Sequence, residues 1–485
     1  MAEHIMILTL EKISAQVLNK VTPSQKEREE ILSLTEKLVE KVKATAEKAG
    51  VEAEVRVEGS VAKDTWLREE PDIDIFMRLP TSLPRETFEK VGLKIAKQAT
   101  KGFKQVERFA EHPYLEAFTE NSTRVNIVPC YKVKPGEWVS ATDRTPFHTD
   151  YVMPRLNEQL RSEIRLLKRF MKGVGVYGAE IKVGGFSGYL CELLILQYNS
   201  FVGVLESASN LRDAWLIDYE GYYKGRENEL PKIFEEPLIV VDPVDKGRNA
   251  ASAVRKERLI EFVVASREFL KNPSLEFFYP QETKALSSNQ LLSEMKKRGS
   301  TLVFVKFGQV KAVPDVLWGQ LYKTQRALRK MLEQNDFHVI RDSVWSNEQG
   351  LTILVFEVEH GRLPLVKKHL GPPIRKKAEC ENFLRKHVCS AETVSGPYIE
   401  DDRWVVEIKR KHNDTVTLLH EKLRDGGRQI GVAELISRTI GKTFKIMVNE
   451  QVMKLYSTEP QFAKFVTEYL NAKPRWLKKT HAVKV

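Results

Sequence analysis

Cysteine is scarce in this chain, with Cys130, Cys191, Cys380 and Cys389 the only four in 485 residues. No two stand at CxxC spacing, which excludes a disulfide framework and a recognisable cysteine-zinc site and leaves a reducing compartment as the default. Long hydrophobic runs are also missing. The most apolar stretch, residues 188–205, is interrupted by Glu192, Gln197 and Asn199, so it reads as a buried helix and not as a membrane span. The N-terminal MAEHIMILTLEK has an early acid and no basic flank, so a secretory signal is not expected and the expected location is cytoplasmic. There is no low-complexity tract and no internal repeat, which excludes solenoid and fibrous classes. Acidic residues fall short of basic ones, 66 against 77, for a net charge of +11. That balance suits a polyanionic partner without naming one. With 42% hydrophobic and 29% charged residues, the composition is that of a globular chain with room for about three domains.

Gly59 to Pro80, GSVAKDTWLREEPDIDIFMRLP, is the most informative stretch. The residues before it, Val51 to Val57, alternate apolar and polar with a period of two, as a half-buried strand does. Gly59-Ser60 breaks that strand. A glycine lets the backbone approach a ligand closely, and a hydroxyl ahead of Val61 to Leu67 suits a helix start whose free N–H groups can hold phosphate. Asp72-Ile73-Asp74-Ile75 then alternates as a second strand, so Asp72 and Asp74 share one face while the isoleucines enter the core. Two such carboxylates repel each other unless a cation lies between them. A bare DxD is a weak signal, but after a strand, a Gly-Ser turn and a short helix it is far more specific.

Around this stretch, Thr22-Pro23-Ser24-Gln25 reads as a capping box opening a helix that carries Ile31, Leu34, Leu38 and Val42 to Gly50. A second helix is expected over Pro84 to Ala99, with strands at Gln105 to Phe109, Tyr114 to Phe118 and Thr123 to Val128 and a turn at Thr119 to Ser122. Further on, Leu160, Ile164, Leu167 and Met171 mark a helix bearing Lys168, and Asn272 to Pro280 punctuates a boundary. Thr301 to Phe307, a helix opening at Pro314-Asp315, and a hairpin of Phe337 to Trp345 with Leu351 to Glu359 give the order βαββ of a ferredoxin-like sheet. Gly371-Pro372-Pro373 reads as the close of that unit. The expected architecture is α+β in three domains: a mixed-sheet head over residues 1–148, a central helical domain over 149–275, and a ferredoxin-like C-terminal region over 276–485.

The Gly-Ser and DxD arrangement resembles the signature of the polymerase-beta-type nucleotidyltransferases. Arg124-Val125-Asn126-Ile127-Val128-Pro129-Cys130-Tyr131 narrows the likeness to the archaeal-type, class I CCA-adding enzymes, the tRNA nucleotidyltransferases. Thr142 to His148, Leu166-Leu167-Lys168, Val176 to Glu180, Gly185 to Leu194 and Val241 to Asp245 extend it over most of residues 22–280. The resemblance implies addition of CCA to the 3′ end of tRNA from CTP and ATP, with Asp72, Asp74 and the residue at 126 as catalytic, Mg2+-holding positions. At 126 the family carries an acid where this chain has Asn126. It further implies that Gly59, Ser60, Lys63, Thr145, His148, Lys168 and Tyr177 contact the nucleotide, and that Arg248 helps to read its base. Lys63 stands where the family more often has arginine, which keeps the charge and loses the bidentate fork.

Other readings share the same motifs. A poly(A) polymerase or an oligoadenylate synthetase would differ in nucleotide preference, and Asn126 is the feature favouring a tRNA-binding protein with weakened catalysis. The clusters Lys367-Lys368, Arg375-Lys376-Lys377, Lys409-Arg410-Lys411 and Arg475 to Lys479 suit a surface that tracks phosphates of the acceptor arm. Taken singly, such runs are more often solvated faces. No membrane partner is expected, and whether the chain forms a homodimer stays open.

Overall fold

The computed structural model describes residues 2–109, 111–212 and 214–477, with side chains from Leu8 onward. The chain forms two compact units, Met1–Glu282 with Pro474–Val485, and Thr283–Lys473. The first unit opens with a helix the periodicity had not signalled, Ala2–Val21, whose Val17 and Val21 are fully buried. The next helix, Gln25–Lys48, starts as expected, although the capping box is Ser24 with Glu27, so Pro23 lies outside the helix.

The head is a five-stranded mixed sheet of β1 (Glu54–Glu58), β2 (Asp72–Leu79), β3 (Lys104–Phe109), β4 (Pro113–Phe118) and β5 (Arg124–Tyr131), in the order β1-β2-β5-β4-β3. The strand expected from Val51 begins three residues later. The β2–β5 pair is parallel and the rest antiparallel. Helices Gln25–Lys48 and Arg85–Ala99 cover one face, where Ile73, Ile75, Ile127 and Leu115 lie fully buried with Leu38, Val42 and Phe88. Each aliphatic residue buried in this way contributes about 1.5–3 kcal/mol. Alternation then turns every second side chain of β2 and β5 to the other face, which carries the candidate site.

The helix expected over Val61 to Leu67 does not form. Only one turn forms, Gly59–Ala62, and its cap position is Glu58, with no side-chain cap bond. Asp64 enters the left-handed region at φ +49°, where a helix cannot continue. Ser60 is therefore inside a single turn instead of capping a longer helix, and a multi-turn dipole is not available there.

Beyond the head, Glu158–Val174, Gly188–Tyr198, Phe201–Ser209 and Lys256–Lys271 pack around Phe170, Phe186, Phe201, Phe262 and Phe269. This region is not wholly helical. It holds a small sheet of β6 (Trp215–Ile217), β7 (Leu238–Asp242) and β8 (Asp245–Asn249). Among the described residues no single helix is long and apolar enough to cross a membrane, and the apolar pair Gly188–Tyr198 and Phe201–Ser209 is bent by 90°. After the second unit the chain returns here, and Trp476 stacks on Phe277 inside the same core.

The second unit is built on β9 (Thr301–Phe307), the helix Pro314–Gln334, β10 (Val339–Ser346) and β11 (Thr352–Val358), as the βαββ order predicted. A later strand completes an antiparallel sheet of order β10-β11-β9 followed by Phe444–Val448, the ferredoxin-like arrangement. Alternation along β9 sends Val303, Val305 and Phe307 to one core with Leu321 and Leu328, and Leu302 and Phe304 to another with Phe462 and Val466. Gly371-Pro372-Pro373 does not close this unit. It ends β12 (Val366–Pro373), an edge strand of an inserted sheet with β13 (Thr393–Glu400) and β14 (Arg403–Lys409) in the order β12-β14-β13. Proline is tolerated there because an edge strand has one unpaired side.

Candidate active site

Parallel pairing sets Asp74 opposite Asn126 and Asp72 opposite Arg124. Antiparallel pairing places Glu58 on the other side of Asp74, and Glu116 beyond Asn126. One polar row, Glu58, Asp74, Asn126 and Glu116, thus crosses four strands on a single face. Asn126 donates from Nδ2 to Asp74 Oδ1 at 2.8 Å. Burial, with the nearby charge of Asp72 adding to it against the Asn126 hydrogen bond, raises the Asp74 carboxyl to about 6. Arg124 forks onto Asp72, Nε to Oδ1 at 2.8 Å and Nη2 to Oδ2. Glu58 is fully buried beside the Arg56 guanidinium at 2.9 Å. Desolvation lifts it to about 7.

Gly59 is held by this row. Its φ is +71°, and a Cβ there would lie 2.1 Å from Asp74 Oδ2. The close backbone approach expected of this glycine is therefore made to the Asp74 carboxylate. Ser60 sits next to it, half-buried, its carbonyl accepting from the Thr65 N–H at 2.9 Å.

Lys63 and Lys168 come together although 105 positions separate them in the sequence. Lys63 Nζ lies 2.5 Å from Glu192 Oε2, and Lys168 Nζ lies 3.3 Å from Glu192 Oε1 and 3.0 Å from Thr65 Oγ1. Both lysines and Glu192 are at most 5% exposed. Burial lowers the Lys168 pKa, and the Glu192 charge opposes that. Burial alone would raise the Glu192 carboxyl, yet the Lys63 and Lys168 charges leave it below the usual range. Two lysines thus share one carboxylate in this buried cluster. Tyr177 borders it, since a Cβ on Gly188 would lie 3.1 Å from the Tyr177 hydroxyl and 3.7 Å from Lys168 Nζ.

His148 and Arg248 meet at Asp242, which lies in the Val241 to Asp245 stretch. That carboxylate, fully buried at the end of β7, accepts from His148 Nε2 at 3.0 Å, Arg248 Nη1 at 2.5 Å and Tyr189 Oη at 3.1 Å. The His148 ring stacks on Tyr189 with centroids 4.0 Å apart. Burial keeps the His148 pKa below its ordinary value. Thr145 opens the helix Thr145–Val152 one turn before His148. The preceding loop is fixed by Asp143, which accepts from the N–H groups of Tyr131, Val139 and Ser140, while Arg144 reaches Asp245 Oδ2 at 2.7 Å.

Reading from residues had missed Glu192, Thr65, Arg124, Glu116 and Tyr189. Glu192 was the most findable, an acid alone in an apolar helix, which is costly unless it is paired. Among the described residues no three His, Cys, Asp or Glu side chains form a group that could hold a metal ion.

Comparison with known proteins agrees with this geometry. Residues 21–148 match the family described as Nucleotidyltransferase domain, 162–279 match tRNA nucleotidyltransferase, second domain, and 298–449 match CCA-adding enzyme, C-terminal domain. A CCA-adding enzyme of Methanosarcina barkeri is 38% identical over 92% of this chain and 95% of its own length. Another from Methanothermobacter thermautotrophicus is 36% identical over 94% and 97%, and one from Methanopyrus kandleri is 33% identical over 96% and 98%. With a head sheet bearing paired aspartates, a lysine pair beside it and near-complete relatives of one kind, the chain belongs to the family of CCA-adding enzymes.

Proposed function

We propose that this protein adds CCA to the 3′ end of tRNA from CTP and ATP, without a nucleic-acid template and with release of pyrophosphate, in the cytoplasm. The observation that carries this reading is the likeness to CCA-adding enzymes along 92% of the chain. The tRNA 3′-hydroxyl attacks the α-phosphate of the nucleotide in line. Lys63 and Lys168, held ready by Glu192, supply cationic donors for the triphosphate, and Ser60 adds a hydroxyl at the turn. Thr145, His148 and Tyr177 contact the triphosphate or the sugar, and Arg248, braced by Asp242, presents guanidinium donors to base acceptors.

The residues present fit a divalent cation. Asp72 and Asp74 share a face, and the bare backbone of Gly59 leaves room for the Asp74 carboxylate, whose Oδ2 a Cβ would meet at 2.1 Å. Asp72 and Asp74 would hold Mg2+, with Asn126 turning its amide oxygen inward as a neutral third donor. When bound, the ion polarises the attacking hydroxyl and offsets charge on the departing pyrophosphate.

The test is incubation with tRNA lacking its terminal CCA, magnesium and each labelled nucleotide, followed by sequencing of the RNA ends. Two cytidines and one adenosine are expected. Runs of adenosine would favour the poly(A) polymerase reading, and unmodified ends with retained tRNA binding would favour the binding protein.

A further inference from the structure

Strand β5 brings two N–H donors to the two aspartates of β2. Asn126 donates to Asp74, and Arg124, two residues earlier on the same face, donates through both arms of its fork to Asp72. A cation held by Asp72 needs the oxygens that Arg124 occupies. The guanidinium is not confined to that carboxylate, because its Nη1 also lies 3.6 Å from Glu116 Oε1. Glu116 stands one strand further on, opposite Asn126, buried and held by Arg108 at 2.6 Å. One guanidinium therefore bridges two carboxylates at the edge of the site, where a positive charge is called for. A bidentate guanidinium–carboxylate pair is among the stronger charge-assisted contacts, and this one is drawn from adjacent in-register positions, so little chain entropy opposes it.

Resting on the reading that Asp72 and Asp74 hold a divalent ion, we propose that Arg124 is the resident counter-cation of Asp72 and competes with that ion. The Arg124–Asp72 pair then sets the concentration at which the site assembles. Glu116 gives the displaced guanidinium an anionic partner within reach, so exchange is a short swing between carboxylates and not a release into solvent. Asn126 and Arg124 act in the same direction, one by withholding a negative charge and the other by adding a positive one.

The experiment is a titration of the full chain with Mn2+, without nucleotide or tRNA, following free Mn2+ by electron paramagnetic resonance. Arg124→Gln is expected to lower the Mn2+ dissociation constant roughly tenfold, a modest part of what removing a unit charge a few ångströms away can do. Arg124→Lys, which keeps the charge and loses the fork, is expected between the two and serves as the readout should the glutamine variant fold poorly. Adding Asp72→Asn to either variant should abolish the gain, which a general effect on structure would not do. If Asp72→Asn weakens Mn2+ binding but neither Arg124 variant tightens it beyond twofold, the competition is overturned. If neither Asp72→Asn nor Asp74→Asn alters Mn2+ binding in any background, the metal reading itself falls, and this proposal with it.

Discussion

Gly59 is the residue at which the site tolerates least. Its left-handed φ and the 2.1 Å separation between a hypothetical Cβ and Asp74 Oδ2 penalise any side chain twice, once through the backbone and once by pushing the Asp74 carboxylate. Gly59→Ala is expected to lower nucleotide addition at least ~100-fold and to cost about 1–3 kcal/mol of stability, measured by primer-extension rates and denaturant unfolding. Normal activity in this variant would mean that Asp74 can move without consequence. From sequence, the alternation of Asp72 and Asp74 was legible because a strand's period is local, and Asn126 was placed beside them by the same rule and the family likeness. The pairing of Glu192 was not, since its partners Lys63 and Lys168 are 129 and 24 positions away and only folding brings them together.

At the scale of elements, Asp242 ties β7 to the helix Thr145–Val152 through His148, to Gly188–Tyr198 through Tyr189 and to β8 through Arg248. Burial acts to raise this carboxyl, but the His148 hydrogen bond and the Arg248 charge, joined by the His148 charge once acid pH protonates that ring, outweigh it and bring it to about 2. A depressed carboxylate contributes stability above its unfolded value near 4, and that contribution fades as pH falls through the folded value. Asp242→Asn is therefore expected to destabilise by roughly 2 kcal/mol at neutral pH, with the difference shrinking between pH 4 and 2. Denaturant titrations of both proteins across that range check it, and a pH-independent difference would count against the ionic account. Elements with strong local signals, such as the capped helix Gln25–Lys48 and the strands β2 and β5, were readable. The strand Phe444–Val448 was not, because its partner β9 lies far back in the chain. Gly371-Pro372-Pro373 misled because proline ends a strand at a sheet edge as readily as it ends a domain.

Across the whole molecule, the basic clusters of the second unit are less free than their sequence implies. Lys367 and Arg410 both pair with Asp336, Lys368 with Glu400 and Lys376 with Glu379. Arg375, Lys377, Lys409 and Lys411 are exposed, whereas Lys478 and Lys479 lie outside the described residues. If those four exposed cations meet phosphates, replacing all four by glutamine should make the log–log salt slope of tRNA affinity shallower by about 3 to 4, as filter binding at several salt concentrations would show. An unchanged slope would locate the RNA contacts elsewhere. The βαββ order of the second unit was legible along the chain, but the closure of the first unit by Trp476 was not, since one aromatic among polar residues carries no periodicity. That closure has a consequence for biosynthesis. Roughly 190 residues of the second unit leave the ribosome between Phe277 and the tryptophan that stacks on it, a wait of about 10–40 s at ordinary elongation rates. During that interval the nascent first unit carries an open aromatic socket, so chaperone engagement and proteolytic sensitivity should fall only when Trp476 emerges.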